Sequence, residues 1–184
     1  MSIRISVRGD ARDVTRHLNK LQRKLVPAAV VSSLTGTARE IRKAGLKWGK
    51  DRFSVPASAL NKRSTVRRAS RSNWSASVSL NYRGMNPGRV FKTAKETKSG
   101  VRAGSHSFPH AFLVHGRYGH RYVAEREGKR RMPIESQLIA LDQLAQRFQR
   151  LTTTGGARIF RRLFTASLKR ALQRKGFDAA SERI

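Results

Sequence analysis

Four histidines, His106, His110, His115 and His120, fall within fifteen residues and are the first side chains in this sequence whose types could do chemistry. Imidazoles so closely spaced suggest a metal centre or a metal-assisted nuclease. A zinc site needs histidines on one helical face, at i and i+4, or carboxylate and thiolate partners beside them. This stretch instead contains Pro109, Gly116 and Gly119, which argue against a helix. On a continuous strand His110 and His115 have opposite parity and point to opposite faces. The nearest acids, Glu125 and Glu127, follow the cluster among arginines, and the chain has no cysteine. Local turn and subunit contacts are the expected role of these histidines, with no metal and no cofactor. A metal-dependent nuclease remains as an alternative that would have to rest on His110 or His120. Paired carboxylates are hard to assemble from eleven scattered acids, and nothing resembles a nucleophile elbow or a phosphate-binding glycine loop. The chain reads as a protein that is not an enzyme.

The second chemical signal is cationic. Forty Lys and Arg stand against eleven Asp and Glu, a formal net charge of +29. A compact body of that charge repels itself and calls for a polyanion or an acidic neighbour. Between Asp51 and Glu96 there is no acid, while ten Lys and Arg occur. Lys62, Arg63, Arg67, Arg68 and Arg71 form the densest part of that run and are the expected contacts to DNA or an acidic partner. No zinc finger, basic zipper or helix-turn-helix accompanies them. Aromatic residues make up 7% of the chain and do not interleave with the run, so base stacking is poorly supported. Any nucleic acid would be met through its phosphates alone. A non-specific basic nucleic-acid-binding protein is therefore one reading of the function.

These residues need elements to position them. The 184 residues suit a single domain, 1–184. From Ser99 to Ile134, short apolar runs punctuated by Gly and Pro read as a small antiparallel meander. The expected class is α+β, a small antiparallel sheet flanked by N-terminal and C-terminal basic amphipathic helices. Ile3, Ile5 and Val7 alternate with polar residues, as do Trp74, Ala76, Val78 and Leu80, each with the period of a half-buried strand. Strands are thus expected near 2–8, 74–82, 100–104, 110–114 and 120–125. Helical spacing predicts helices over about 11–24, 27–49, 136–150 and 157–175, with Pro27 in a first turn and Leu138, Leu141, Ala145, Phe148 and Leu151 facing inward. Thr152 to Gly156 interrupts the last two helices. Residues 57–60 suit a short helix, residues 84–98 a long mobile loop, and residues 177–184 a frayed tail. The N-terminus lacks the apolar core of a signal peptide, and no run approaches the ~18 apolar residues of a membrane span.

The meander also carries a resemblance. Gly100-Val-Arg-Ala-Gly104, Phe108-Pro-His-Ala-Phe112, Gly119-His120, Arg126 and Arg131-Met-Pro-Ile134 together resemble the core pattern of the minor tail protein Z family of tailed phages. Val26-Pro-Ala-Ala29, opening a helix of small residues, Arg67-Arg-Ala-Ser70 and the basic C-terminal helix extend the likeness over nearly the whole chain. The resemblance implies a structural virion protein, made in the bacterial host cytoplasm and placed at the head-proximal end of a long tail. It further implies tail completion and head-tail joining as a homo-oligomeric ring, a hexamer to match a six-fold tube. Its partners would be the tail tube or tail terminator protein, head-tail connector proteins and genomic DNA touched through phosphates, with no membrane.

Overall fold

The computed structural model describes residues 2–8, 22–116, 119–128 and 132–173, and the chain they form is α+β. In order, the elements are β1 (Ser2–Arg8), α1 (Gln22–Phe53), α2 (Ala57–Asn61), β2 (Ser64–Arg67), β3 (Ser75–Asn81) and α3 (Pro87–Val90). There follow β4 (Lys95–Thr97), β5 (Gly100–Ala103), β6 (His106–Pro109), β7 (Phe112–His115), β8 (Arg121–Arg126) and β9 (Ile134–Ser136). The described chain closes on α4 (Asp142–Arg150), a π-helical turn (Leu151–Gly155) and α5 (Gly156–Gln173).

The expected class holds, but the strands distribute over three sheets of three rather than one: β1-β3-β2, β4-β5-β6 and β7-β8-β9. The separation is written in the backbone. Gly104 (φ +61°) turns β5 back onto β6, and His110 (φ +60°) breaks the chain between β6 and β7. A Cβ at Gly104 would lie 2.6 Å from the Phe91 ring, so the left-handed turn also permits a close approach.

Two compact units make up the chain. The first takes Ser2 and the described residues of 46–63 and 81–145. Its sheet β4-β5-β6 is antiparallel, with Glu96 opposite Val101 and Val101 opposite Phe108, and in β7-β8-β9 Leu113 faces Val123 and Glu125 faces Glu135. Val101, Ala111 and Val123 form a core shared by these two sheets, with Phe108 and Leu113 packed on it. Glu96 Oε1 accepts the Leu113 N–H at 2.6 Å, which ties β4 to β7.

The second unit takes the described residues of 3–45, 64–80 and 146–173. Here β3 lies between β1 and β2, with Val66 opposite Val78, and buries Ala76, Val78 and Leu80. Helix α1 buries Val26, Ala29, Val30, Leu34, Ala38 and Ile41. It is tied to β2 and the residues after it by Arg42 Nε donating to Ser64 Oγ at 2.8 Å and by the Ala69 N–H donating to Thr35 Oγ1 at 3.2 Å. A Cβ at Gly36 would meet Leu163 of α5 at 3.0 Å, and one at Gly45 would meet the Phe148 ring at 2.5 Å. The small residues of α1 thus serve close packing. Its buried hydroxyls are satisfied within the helix, Ser33 Oγ donating to the Ala29 carbonyl at 2.6 Å and Thr37 Oγ1 to the Ser33 carbonyl at 2.8 Å.

Several expected boundaries shift. Helix α1 begins by Gln22, with Pro27 inside it rather than in its first turn; burial of Val26, Ala29 and Val30 offsets a cost of about 3 kcal/mol for an interior proline. The helix expected from Ser136 starts instead at Asp142, because Ile134 to Ser136 pair with β8 as β9. Leu138, expected inward, is 53% exposed, whereas Leu141, Ala145 and Phe148 are buried. Residues Thr152 to Gly155 do not interrupt the helix; they wind into the π turn, and α5 follows directly. The segment expected as a loop over 84–98 contains α3 and β4 and buries Met85, Asn86, Phe91 and Ala94. The helix expected over 11–24, apart from its end, and the tail 177–184 lie outside the described residues.

Candidate anion-binding sites

The five cations singled out from sequence fall into two groups. Lys62 and Arg63 follow α2 in the first unit; Arg67, Arg68 and Arg71 belong to the second. Arg63 is half-buried and donates to the carbonyls of Arg83 and Gly84, the latter at 3.4 Å. Burial lowers its pKa from the ordinary value, because desolvation disfavours the cation, yet a guanidinium keeps its charge in proteins. The two carbonyls are neutral, so the positive charge is held in place and not cancelled.

Beside Arg63 lies a cavity of about 670 Å³, lined by Lys62, Arg63, Arg89 and Lys92 with Met85, Asn86, Val90, Tyr122, Ser136 and Leu138, and by no acid. Four cations around one cavity raise the local potential for any anion that enters. Arg89 is oriented by the Tyr122 ring, 5.3 Å from its centroid. The Lys92 and Ala94 carbonyls accept from Arg121, which fixes the chain after α3. Asn86 caps α3 through Oδ1, which accepts the Gly88 N–H at 3.0 Å. Sequence reasoning placed Arg89 and Lys92 in the acid-free run without joining them to Lys62 and Arg63. The stretches are brought together by Arg63, which donates to the Arg83 and Gly84 carbonyls while its own carbonyl accepts the Asn81 N–H at 2.8 Å.

In the second unit, Arg67 ends β2 opposite Ser77, and Arg68 and Arg71 lie in the connection to β3. That connection is ordered by its own bonds: the Ser70 N–H donates to the Asn73 carbonyl at 2.9 Å, and Trp74 Nε1 donates to the Arg71 carbonyl at 2.8 Å. All three guanidinium groups are exposed, and none has a hydrogen-bond or ion-pair partner among the described residues. A further cavity of about 310 Å³ gathers Arg147, Arg150 and Arg158 around Leu151, Thr154 and Gly155 of the π turn. Thr152 Oγ1 donates to the Phe148 carbonyl at 2.9 Å, and Thr153 Oγ1 to the Gln149 carbonyl at 3.1 Å, which supports the wider turn. The sequence shows no Asp or Glu between Gln143 and Phe177, but it does not show the π turn that groups these three arginines.

The histidines do not converge. His106 Nε2 donates to the Phe53 carbonyl at 2.7 Å, and its ring lies against Phe91 and Phe108. His110, His115 and His120 are exposed. Among the described residues no three His, Asp or Glu side chains gather as a metal site.

The described residues thus gather cations around two cavities and along one exposed connection, without a catalytic constellation among them. A model of the prophage minor tail protein Z family matches residues 8–176. The chain belongs to that family. The match covers the meander and both basic regions, and it bears out the resemblance drawn from them. Family membership makes this a structural protein of the phage tail, associated with other tail components. No helix among the described residues is long and apolar enough to cross a membrane. No curated protein and no solved structure matches the chain.

Proposed function

We propose that this tail protein acts in tail completion and head-tail joining, as a closed ring of six copies around the DNA channel at the head-proximal end of the tail. One observation carries the reading: Arg67 at the end of β2, and Arg68 and Arg71 on the ordered, acid-free connection after it, are exposed, and their guanidinium groups have no partner among the described residues. Such a face is matched by a polyanion or by an acidic neighbouring subunit. The six-fold number follows from the tail tubes of the family, which a cap must match.

The charge sets the order of assembly. At +29 per chain, neighbouring copies repel, and screening over about 8 Å relieves only exposed pairs. The free chain is therefore monomeric or weakly associated, and its ring closes on an acidic tube end or around DNA. Electron microscopy of intact tails tests this, with six-fold density for this chain expected next to the head. Density at the distal tip, or in no symmetric ring, would overturn the reading.

A further inference from the structure

The large apolar side chains exposed among the described residues are Met132 (65%), Ile134 (38%) and Leu138 (53%), all within one stretch of seven residues around β9. That strand is an edge of the sheet β7-β8-β9. Its paired side faces β8: the Glu127 N–H donates to the Pro133 carbonyl, the Gln137 N–H donates to the Val123 carbonyl, and Glu135 stands opposite Glu125. Antiparallel alternation then sends the N–H and C=O of Ile134 and Ser136 to the other side, where no described strand pairs with them. An apolar strand edge left open in this way is a template for one more strand.

Two of its residues, Ser136 and Leu138, also line the cavity of Lys62, Arg63, Arg89 and Lys92. We propose that the β9 edge docks an extended acidic segment of another protein, which adds a strand to the sheet and directs carboxylates into this cavity. Charge complementarity selects the occupant. A second copy of this chain has no acid-rich segment to offer, since its eleven Asp and Glu are scattered among forty Lys and Arg. Duplex DNA has no backbone amides to offer a strand edge, and its convex row of phosphates does not fill a concave space lined by Met85, Val90 and Leu138. Glu135 alternates to the opposite face from Ile134 and Ser136, away from the apolar side of the edge. This site is independent of the arginines that carry the channel reading, so either proposal can fail alone.

The test uses the full chain and a fluorescein-labelled peptide of alternating Glu and Val, about ten residues long, followed by anisotropy at physiological salt. Saturable binding is expected, and R89E with K92E should weaken it by about tenfold or more. Ser136→Pro deletes an outward N–H and leaves the β8-facing groups of Glu135 and Gln137 in place, and it should weaken binding about tenfold. Leu138→Asp, at an exposed position, should give a similar loss and serves if the proline variant does not fold by circular dichroism. No binding of the peptide overturns the proposal. Undiminished binding by the folded Leu138→Asp variant, or by the charge-reversed one, overturns it as well. Self-association of the free chain that Leu138→Asp abolishes would place a second copy on the edge and overturn the acidic occupant.

Discussion

Asn86 pairs with Val123 as a strand residue would, but through its side chain: Oδ1 accepts the Val123 N–H at 2.8 Å and Nδ2 donates to the Val123 carbonyl at 2.9 Å. The same carboxamide donates to the Gln137 carbonyl at 3.1 Å and accepts the Gly88 N–H at 3.0 Å. Its two donors and its acceptor oxygen are all engaged, at a position 8% exposed. One side chain thereby joins α3, β8 and the chain after β9, the frame of the larger basic cavity.

Asn86→Ala strands the Val123 N–H in a buried setting, and each unsatisfied group costs about 1–3 kcal/mol. A loss of about 3 kcal/mol is expected from urea unfolding. Asn86→Asp sets a carboxylate oxygen against the Val123 and Gln137 carbonyls in a buried position and should lose at least as much as the alanine variant. A midpoint unchanged in Asn86→Ala would contradict the role assigned to the carboxamide.

Gly45 and Gly156 separate helix propensity from packing. Alanine gains up to about 1 kcal/mol over glycine inside a helix. At Gly45 that Cβ would lie 2.5 Å from the fully buried Phe148 ring, and overpacking costs about 1–3 kcal/mol. Gly45→Ala should therefore lower the melting temperature. At Gly156 the nearest contact is Ile41 at 4.0 Å, so Gly156→Ala should hold or raise it.

Adjacent cations should behave differently. Arg63→Met loses two bonds to backbone carbonyls and should cost about 1–2 kcal/mol of stability. Lys62→Met, at an exposed position, should stay within about 0.5 kcal/mol. Equal losses for the two would show that Arg63 is not an internal tether.

Replacing Arg67, Arg68 and Arg71 together with Glu should leave the fold of the isolated protein intact, because all three side chains are exposed. The same triple variant should block production of infectious particles in a phage complementation assay. Normal titres would remove this face from the mechanism.

What was legible in the sequence was what nearest neighbours decide. The alternation of Ala76, Val78 and Leu80 gave β3, and the spacing of Val30, Leu34, Ala38 and Ile41 gave α1, because a strand and a helix each impose one period on their buried residues. Leu138 fits a helical stripe equally well, and only the pairing of Ile134 to Ser136 with β8 decides against it. The short β4 and β6 were missed for the same reason: strands of three or four residues carry too few alternations to register. The basic run was plain, but its division between two units, and the recruitment of Arg89 and Lys92 to Lys62 and Arg63, depend on contacts distant in sequence.

The π turn at Leu151–Gly155 makes the length of this stretch discontinuous in its effects. It holds one residue more than the α-helical turn it replaces. Deleting a single residue there restores ordinary winding and keeps α5 close to its present phase relative to Phe148, because the π turn already closes one full turn with a residue to spare. A second deletion has no spare residue to absorb and rotates α5 by about 100°. Leu163 would then swing away from Gly36, and Arg158 would leave the company of Arg147 and Arg150. The first residue lost here should be tolerated and the second should not.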